Sequence, residues 1–240
     1  MRTLRVLVAM IAGSLAAPPA GGTGPVEVLT ARMFLEGGGE TAELEWPVLA
    51  GGTGDEAGIA INEALSYESV AGEPFEQTMQ TYTEIQRGIV GSGFELNFND
   101  LGILDLTIHV EFLGAYPSTS EYYFTFDTGT GRRLAMADLM SDERLPELAA
   151  LVNERLQENI RTAESVYCPG PNGVDPEMYD AQFTEADLES FSVEEGGIEF
   201  HYDFGFPHII LAAEPEEDVF LSFDELAPCI DPDGPLGGME

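Results

Sequence analysis

Phe94-Glu-Leu-Asn-Phe98, Leu104-Asp-Leu-Thr-Ile-His-Val-Glu-Phe112 and Tyr122-Tyr-Phe-Thr-Phe126 are the stretches that decide how this chain folds. In the first, Phe94, Leu96 and Phe98 alternate with Glu95 and Asn97. In the second, Leu104, Leu106, Ile108, Val110 and Phe112 alternate with Asp105, Thr107, His109 and Glu111. The third sets Tyr122, Phe124 and Phe126 against Glu121, Tyr123, Thr125 and Asp127. A side-chain period of two, sustained over three segments, predicts antiparallel strands with one packed face and one wet face. With Asn99-Asp-Leu-Gly102 as a turn, residues 94–127 read as a β-meander.

Downstream, Thr128-Gly-Thr-Gly131 leads into Arg133–Met136, and then the period changes. Leu145, Leu148, Val152, Leu156 and Ile160 recur at helical spacing, with Glu147, Glu154, Arg155, Glu158 and Arg161 on the other side. This predicts a helix over 145–163 whose apolar stripe packs in the core. Thr184 reads as the N-cap of a short helix to Leu188, with Asp187 at its third position. Phe191 and Val193 then reach the turn Glu194-Glu-Gly-Gly197, Ile198, Phe200, Tyr202 and Phe204 alternate on the return, and Val219–Phe223 adds a strand before the turn Asp224-Glu-Leu226. Upstream lie a strand over Val26–Leu35, a second through Leu44 and Trp46 ending at Pro47, and a helix from Asp55 to Tyr67. Residues 74–89 read either as a helix through Phe75, Met79 and Tyr82 or, over Thr81–Val90, as extended chain. Helices between sheet segments without a βαβ rhythm make the class α+β: a central meander at 94–127 and a second small sheet at 191–223, packed against helices near 55–67 and 145–163.

Charge narrows the function. The 240 residues carry 44 acidic side chains against 9 basic ones, all arginine, for a formal net charge of −35. A polyanion-tracking surface needs a cationic stripe, so nucleic acid is excluded as a partner and an anionic membrane surface is disfavoured. From Thr162 to the end there are 20 acidic residues and no lysine or arginine, which gives that half a strong negative potential. Such a potential serves either solubility in a saline habitat or the steering of a cationic partner. The hydrophobic content of 44% argues against disorder.

Met1-Arg-Thr-Leu-Arg5, the apolar run Val6–Leu15 and the small residues of Ser14-Leu-Ala16 read as a secretory signal peptide over 1–17. The apolar run is far short of the roughly 20 residues that span a bilayer. The expectation is a periplasmic or secreted protein without a membrane span in its mature chain, with a flexible leader and possible first strand over 18–39. Cys168 and Cys229 are the only cysteines, and an oxidising compartment would let them bridge; their spacing is not that of a redox C-x-x-C pair. A structural disulfide is expected.

Recognisable catalytic chemistry is missing. No nucleophile elbow follows the leader, and there is no P-loop or dinucleotide fingerprint; Gly51-Gly-Thr-Gly54 lacks the lysine of a phosphate cradle. His109, with Asp105, Thr107 and Glu111, and His201, with Glu199 and Asp203, read as members of solvated strand faces, and His208 has no patterned neighbours. No metal-binding histidine spacing occurs, so neither a metal nor a cofactor is expected. Asp231-Pro-Asp-Gly234 lacks the remaining donors of a calcium loop and reads as part of an acidic, disordered Pro/Gly tail over 228–240.

The order of short motifs resembles the envelope domain of the RsiV-like anti-sigma factors, a domain also found beside PdaC-type peptidoglycan deacetylase domains. The motifs are Gly114-Ala-Tyr-Pro117, Tyr122-Tyr-Phe-Thr-Phe-Asp127, Thr128-Gly-Thr-Gly131, Leu134-Ala-Met-Ala-Asp-Leu139, Phe183-Thr-Glu-Ala-Asp-Leu188 and Ser222-Phe-Asp-Glu-Leu226. Trp46-Pro-Val-Leu49 and Ile61-Asn62 resemble the companion half of that family. The family's first glycine and its histidine in the first motif are Leu113 and Tyr116 here, so no role of that histidine is carried over. The resemblance implies an N-terminal half over 40–113 and a C-terminal half over 114–227. It implies a non-catalytic binding module for a cationic envelope protein such as lysozyme, or for a peptidoglycan component. The loop Gly114, Ala115, Tyr116, Pro117 and Ser118 joins two patterned strands and offers an aromatic anchor, so it is the candidate binding site. A carboxylate-dependent hydrolase of envelope polymers and a salt-adapted structural protein are the alternatives.

Overall fold

The structure, a computed structural model, describes residues 9–11, 24–37, 39–50, 56–168 and 174–238. The chain divides into two compact units, residues 1–133 and 134–240. The 113/114 division implied by the resemblance falls inside one sheet, between β5 (Ile103–Leu113) and β6 (Pro117–Asp127), which pair along their whole length. Of the leader 1–17 only Ala9–Ile11 is described, as a short strand β1 at the sheet edge beside β2 (Val28–Gly37). The rest of the signal-peptide reading, Gly51–Gly54 and Asp55 lie outside the described residues.

In the first unit β2 pairs with β3 (Glu40–Leu49), and β3 meets β4 (Gly88–Asp100) in parallel at Leu44 and Ser92. β4, β5 and β6 form the expected meander. β3 runs two residues past Pro47. The N–H of Leu49, on the same side of the strand as Pro47, donates to Asn62 Oδ1 at 2.8 Å, so the proline lacks its donor on a side that is not pairing with β2. The helix expected over 55–67 is two: α1 (Glu56–Ala64) and α2 (Tyr67–Ala71), the latter capped by Ser66, whose Oγ accepts from the Ser69 N–H. Both readings of 74–89 hold in part, because α3 (Phe75–Ile85) ends at Gln86 and β4 begins at Gly88. Leu35, Leu44, Trp46, Ile61, Leu65, Leu106, Ile108 and Phe126 form the core between helices and sheet.

The wet face of the meander is wet at one end only. A bulge between Leu96 and Phe98 puts both Asn97 and Phe98 on the side of Asp105, so Phe98 no longer shares a face with Phe94 and Leu96. Asp105, Thr107 and Thr125 are buried there, joined by hydrogen bonds from Asn97 Nδ2 to Asp105 Oδ1 (2.9 Å) and Thr107 Oγ1 (2.8 Å), and from Thr125 Oγ1 to Asp105 Oδ2 (2.5 Å). Burial is tolerated because these polar atoms bond one another. His109 and Glu111, further along, reach the surface region. The β4–β5 turn holds both Leu101 (φ 54°) and Gly102 (φ 80°) in the left-handed region.

The second unit opens with the short α4 (Met136–Leu139) and the long α5 (Leu145–Tyr167), whose Leu148, Val152, Leu156 and Ile160 are buried. α5 packs against the sheet β7 (Phe191–Glu194), β8 (Gly197–His201) and β9 (Asp218–Ser222), which contributes Val193, Ile198, Phe200 and Leu221; α6 (Phe223–Leu226) follows. Thr184 caps a 3₁₀ turn at Glu185–Glu189 as expected, with Asp187 Oδ2 accepting from its backbone N–H and hydroxyl, both at 2.7 Å. β8 stops at His201 instead of continuing to Phe204.

Two expectations fail in this unit. Cys168 and Cys229 are both free. Cys168 caps the C-terminal end of α5, whereas the Cys229 carbonyl accepts from Ser141 N–H, just before the N-terminal end. A 23-residue helix is about 34 Å long at about 1.5 Å per residue, whereas bonded cysteines need Cα atoms within about 7 Å. The segment 228–238 is no disordered tail either: Ile230 bridges Met140, Asp231 N–H donates to Leu139 O (3.1 Å), and Leu236 is fully buried.

Candidate functional site

The loop singled out by sequence joins β5 and β6. Gly114, Ala115 and Tyr116 form the connection, Pro117 and Ser118 open β6, and all five residues are exposed, Tyr116 at 64%. It presents one aromatic ring at a hairpin end and brings no carboxylate, imidazole or thiol with it.

Titratable side chains converge on the outer face of the second sheet. Register places Ser192 opposite Glu199, Glu199 opposite Phe220, and His201 opposite Asp218. Because side chains alternate, these residues share the face turned away from Phe200 and Leu221. His201 Nδ1 lies 2.7 Å from Asp218 Oδ1, and Nε2 lies 3.0 Å from Ser192 Oγ. A carboxylate can only accept from Nδ1–H, so whenever the ring carries a single proton Nε2 accepts from the Ser192 hydroxyl. The His201 side chain is only 9% exposed, where the sequence predicted a solvated one. Burial and the charge of Asp218, followed by Glu194 and Glu216, hold the Glu199 carboxyl above the usual range against the opposing pull of His201.

The connection from β8 to β9 carries a second group, Asp203, Glu214 and Glu217. Its carboxylates serve the backbone: Gly205 N–H donates to Asp203 Oδ1 (2.7 Å), Phe206 N–H to Glu214 Oε1 (3.1 Å), and Phe204 N–H to Glu217. Burial, then Glu214, Asp203 and Asp218, push the Glu217 carboxyl up to about 7, with the Phe204 bond opposing.

Ser192, His201 and Asp218 have the connectivity of a hydrolase triad, in which a base links nucleophile and orienting carboxylate. Accessibility argues against that chemistry. Ser192 is 1% exposed in mid-strand, so a substrate carbonyl cannot reach its Oγ in this structure. The hydroxyl acts as a partner that orients the ring.

No family model and no curated protein matches the sequence. Among solved structures, a DUF3298-family protein from Bacteroides fragilis aligns with a TM-score of 0.54 at 13% identity, covering 87% of this chain and 95% of that one. A DUF3298-family protein from Pseudomonas aeruginosa aligns with the same score and coverage at 9% identity. The chain shares the DUF3298 fold. Likeness at this identity extends to architecture, so the site chemistry rests on the residues of this chain. Within that DUF3298 fold, sequence reading associated His201 with Glu199 and Asp203 and missed Ser192 and Asp218. Ser192 falls at the alternating polar position of β7, the one signal that could have found it; Asp218 is 17 positions from His201, and only strand pairing joins them.

Proposed function

We propose that this chain is a non-catalytic binding module of the cell envelope, secreted or periplasmic, that captures a cationic protein through the acidic surface of its second unit. The carrying observation is the concentration of charge: 26 acidic residues against three arginines over 134–240, all three before residue 162. Burial, with neighbouring carboxylates adding to it, raises the proton affinity of Glu199 on β8 and of Glu217 on the connection to β9. The resemblance of the 114–227 half to the RsiV-like domain supports a lysozyme-like partner, with the exposed Tyr116 of the 114–118 loop as the aromatic anchor that the resemblance suggests. The test is capture of lysozyme on the immobilised protein at low and at high salt. Retention that weakens as salt rises is expected; no retention at either salt removes the reading.

A second reading, a carboxylate-dependent hydrolase, is favoured by Glu217, whose affinity for a proton suits a general acid near neutral pH. It requires release of soluble fragments from peptidoglycan by the wild type and loss of that release in Glu217→Gln.

A further inference from the structure

We propose that Glu199, His201 and Asp218 bind one divalent transition-metal ion of the zinc class, with Ser192 orienting the imidazole. The inference is independent of any protein partner. One nitrogen and two carboxylates offer donor atoms within 4.8 Å of one another. Two adjacent strands hold them, since His201 faces Asp218 directly across the β8–β9 ladder and Glu199 stands two positions back on the same face. Sites built on strands are held more tightly than sites on loops.

The imidazole is committed in the way a ligand histidine is. Its ring is nearly buried, and one nitrogen is engaged by a buried hydroxyl, leaving the other turned to the carboxylate. Metal-ligating histidines almost always bond a polar partner through the second nitrogen, which fixes tautomer and orientation. Here the ion replaces the proton between Nδ1 and Asp218 Oδ1. The ring's single proton passes from Nδ1 to Nε2 by exchange with solvent, so the imidazole stays neutral and Nε2–H donates to Ser192 Oγ. A tetrahedral ion with bonds of about 2.0–2.1 Å needs donors roughly 3.3 Å apart, so the present 2.7 Å pair has to open by only about 0.6 Å. Glu199 supplies the third ligand, and water the fourth.

Donor chemistry selects the metal. Imidazole with carboxylates suits zinc and its neighbours, whereas calcium requires six to eight oxygens. The all-oxygen group Asp203, Glu214 and Glu217 makes no such claim, because its carboxylates are acceptors for three successive backbone N–H groups.

The experiment is calorimetric titration of the chelator-treated full chain with zinc chloride, in two buffers of different ionisation enthalpy, followed by X-ray absorption of the loaded protein. Uptake of one equivalent is expected, with nitrogen and oxygen ligands at about 2.0–2.1 Å. Asp218→Asn and Glu199→Gln should each weaken zinc at least tenfold. Ser192→Ala should weaken it by about 10- to 100-fold, as outer-shell partners do. His201→Asn removes uptake if it folds, and the two carboxylate variants keep the test decisive if it does not. No uptake by the folded wild type, sulfur ligands at about 2.3 Å, or affinity unchanged in both carboxylate variants overturns the proposal.

Discussion

Reduction of the protein is a sharp test of the second unit, because the two cysteines sit at opposite ends of α5. A bond between Cys168 and Cys229 would close a loop of about 60 residues, which the chain-entropy model credits with about 4 kcal/mol. For a chain of this size about 2–4 °C of melting temperature accompanies each kcal/mol, so breaking such a bond would lower the transition by roughly 8–16 °C. The structure predicts no change. The helix holds the sulfurs about 30 Å apart, and bringing them together would require unfolding α5, whose buried Leu148, Val152, Leu156 and Ile160 anchor this unit. Burial also raises both thiols above their ordinary range, so neither is a ready thiolate. The assay is thermal unfolding with and without a phosphine reductant, paired with intact mass after alkylation in denaturant without reductant. Coincident transitions and two alkyl adducts are expected. A downward shift of the transition on reduction, or an unalkylated chain two hydrogens short of the calculated mass, refutes the placement of these elements.

Replacing Leu101 by Asn should raise stability by about 1 kcal/mol in a urea titration, because Asn tolerates the left-handed conformation that φ 54° imposes at this turn and Leu does not; an unchanged or lower midpoint contradicts the turn geometry. Leu236→Ala should cost about 2–5 kcal/mol by the same measurement, since its side chain is fully buried in a segment that reads from sequence as a tail. Tyr67 is pushed up to about 12 by burial, with the charge of Glu73 adding and the Thr78 hydrogen bond opposing. Between about pH 10 and 12 the unfolded tyrosine ionises while the folded one stays neutral, so its stabilising contribution is intact below pH 10 and is lost as pH rises, by roughly 2–3 kcal/mol at most. Wild type should therefore lose more stability than Tyr67→Phe over that range, and parallel curves would show that Tyr67 is not held neutral.

The architecture was legible in the sequence because strand and helix declare themselves through local periodicity. Leu104 to Phe112 alternate whatever they pair with, and Leu145 to Ile160 keep one stripe whatever covers it. The candidate loop 114–118 was placed where expected for the same reason, as the link between two alternating runs. The errors lie where local pattern competes with a neighbour. The bulge after Leu96 moves Phe98 across the sheet, and Ser66 captures a helix start that breaks 55–67 in two.

What the sequence determined by itself was therefore the kind of chain: α+β, strongly acidic, with a three-stranded meander and a separate small sheet. The tertiary structure decided which side chains meet. Ser192, His201 and Asp218 come from three strands and have no common period, and only the register of β7, β8 and β9 brings an imidazole between a hydroxyl and a carboxylate. The cysteines show the converse: compartment and count favoured a bond, but one rigid helix keeps them apart. Periodicity is a property of neighbours along the chain, whereas a site is set by distances across it, and those are fixed by pairing and packing.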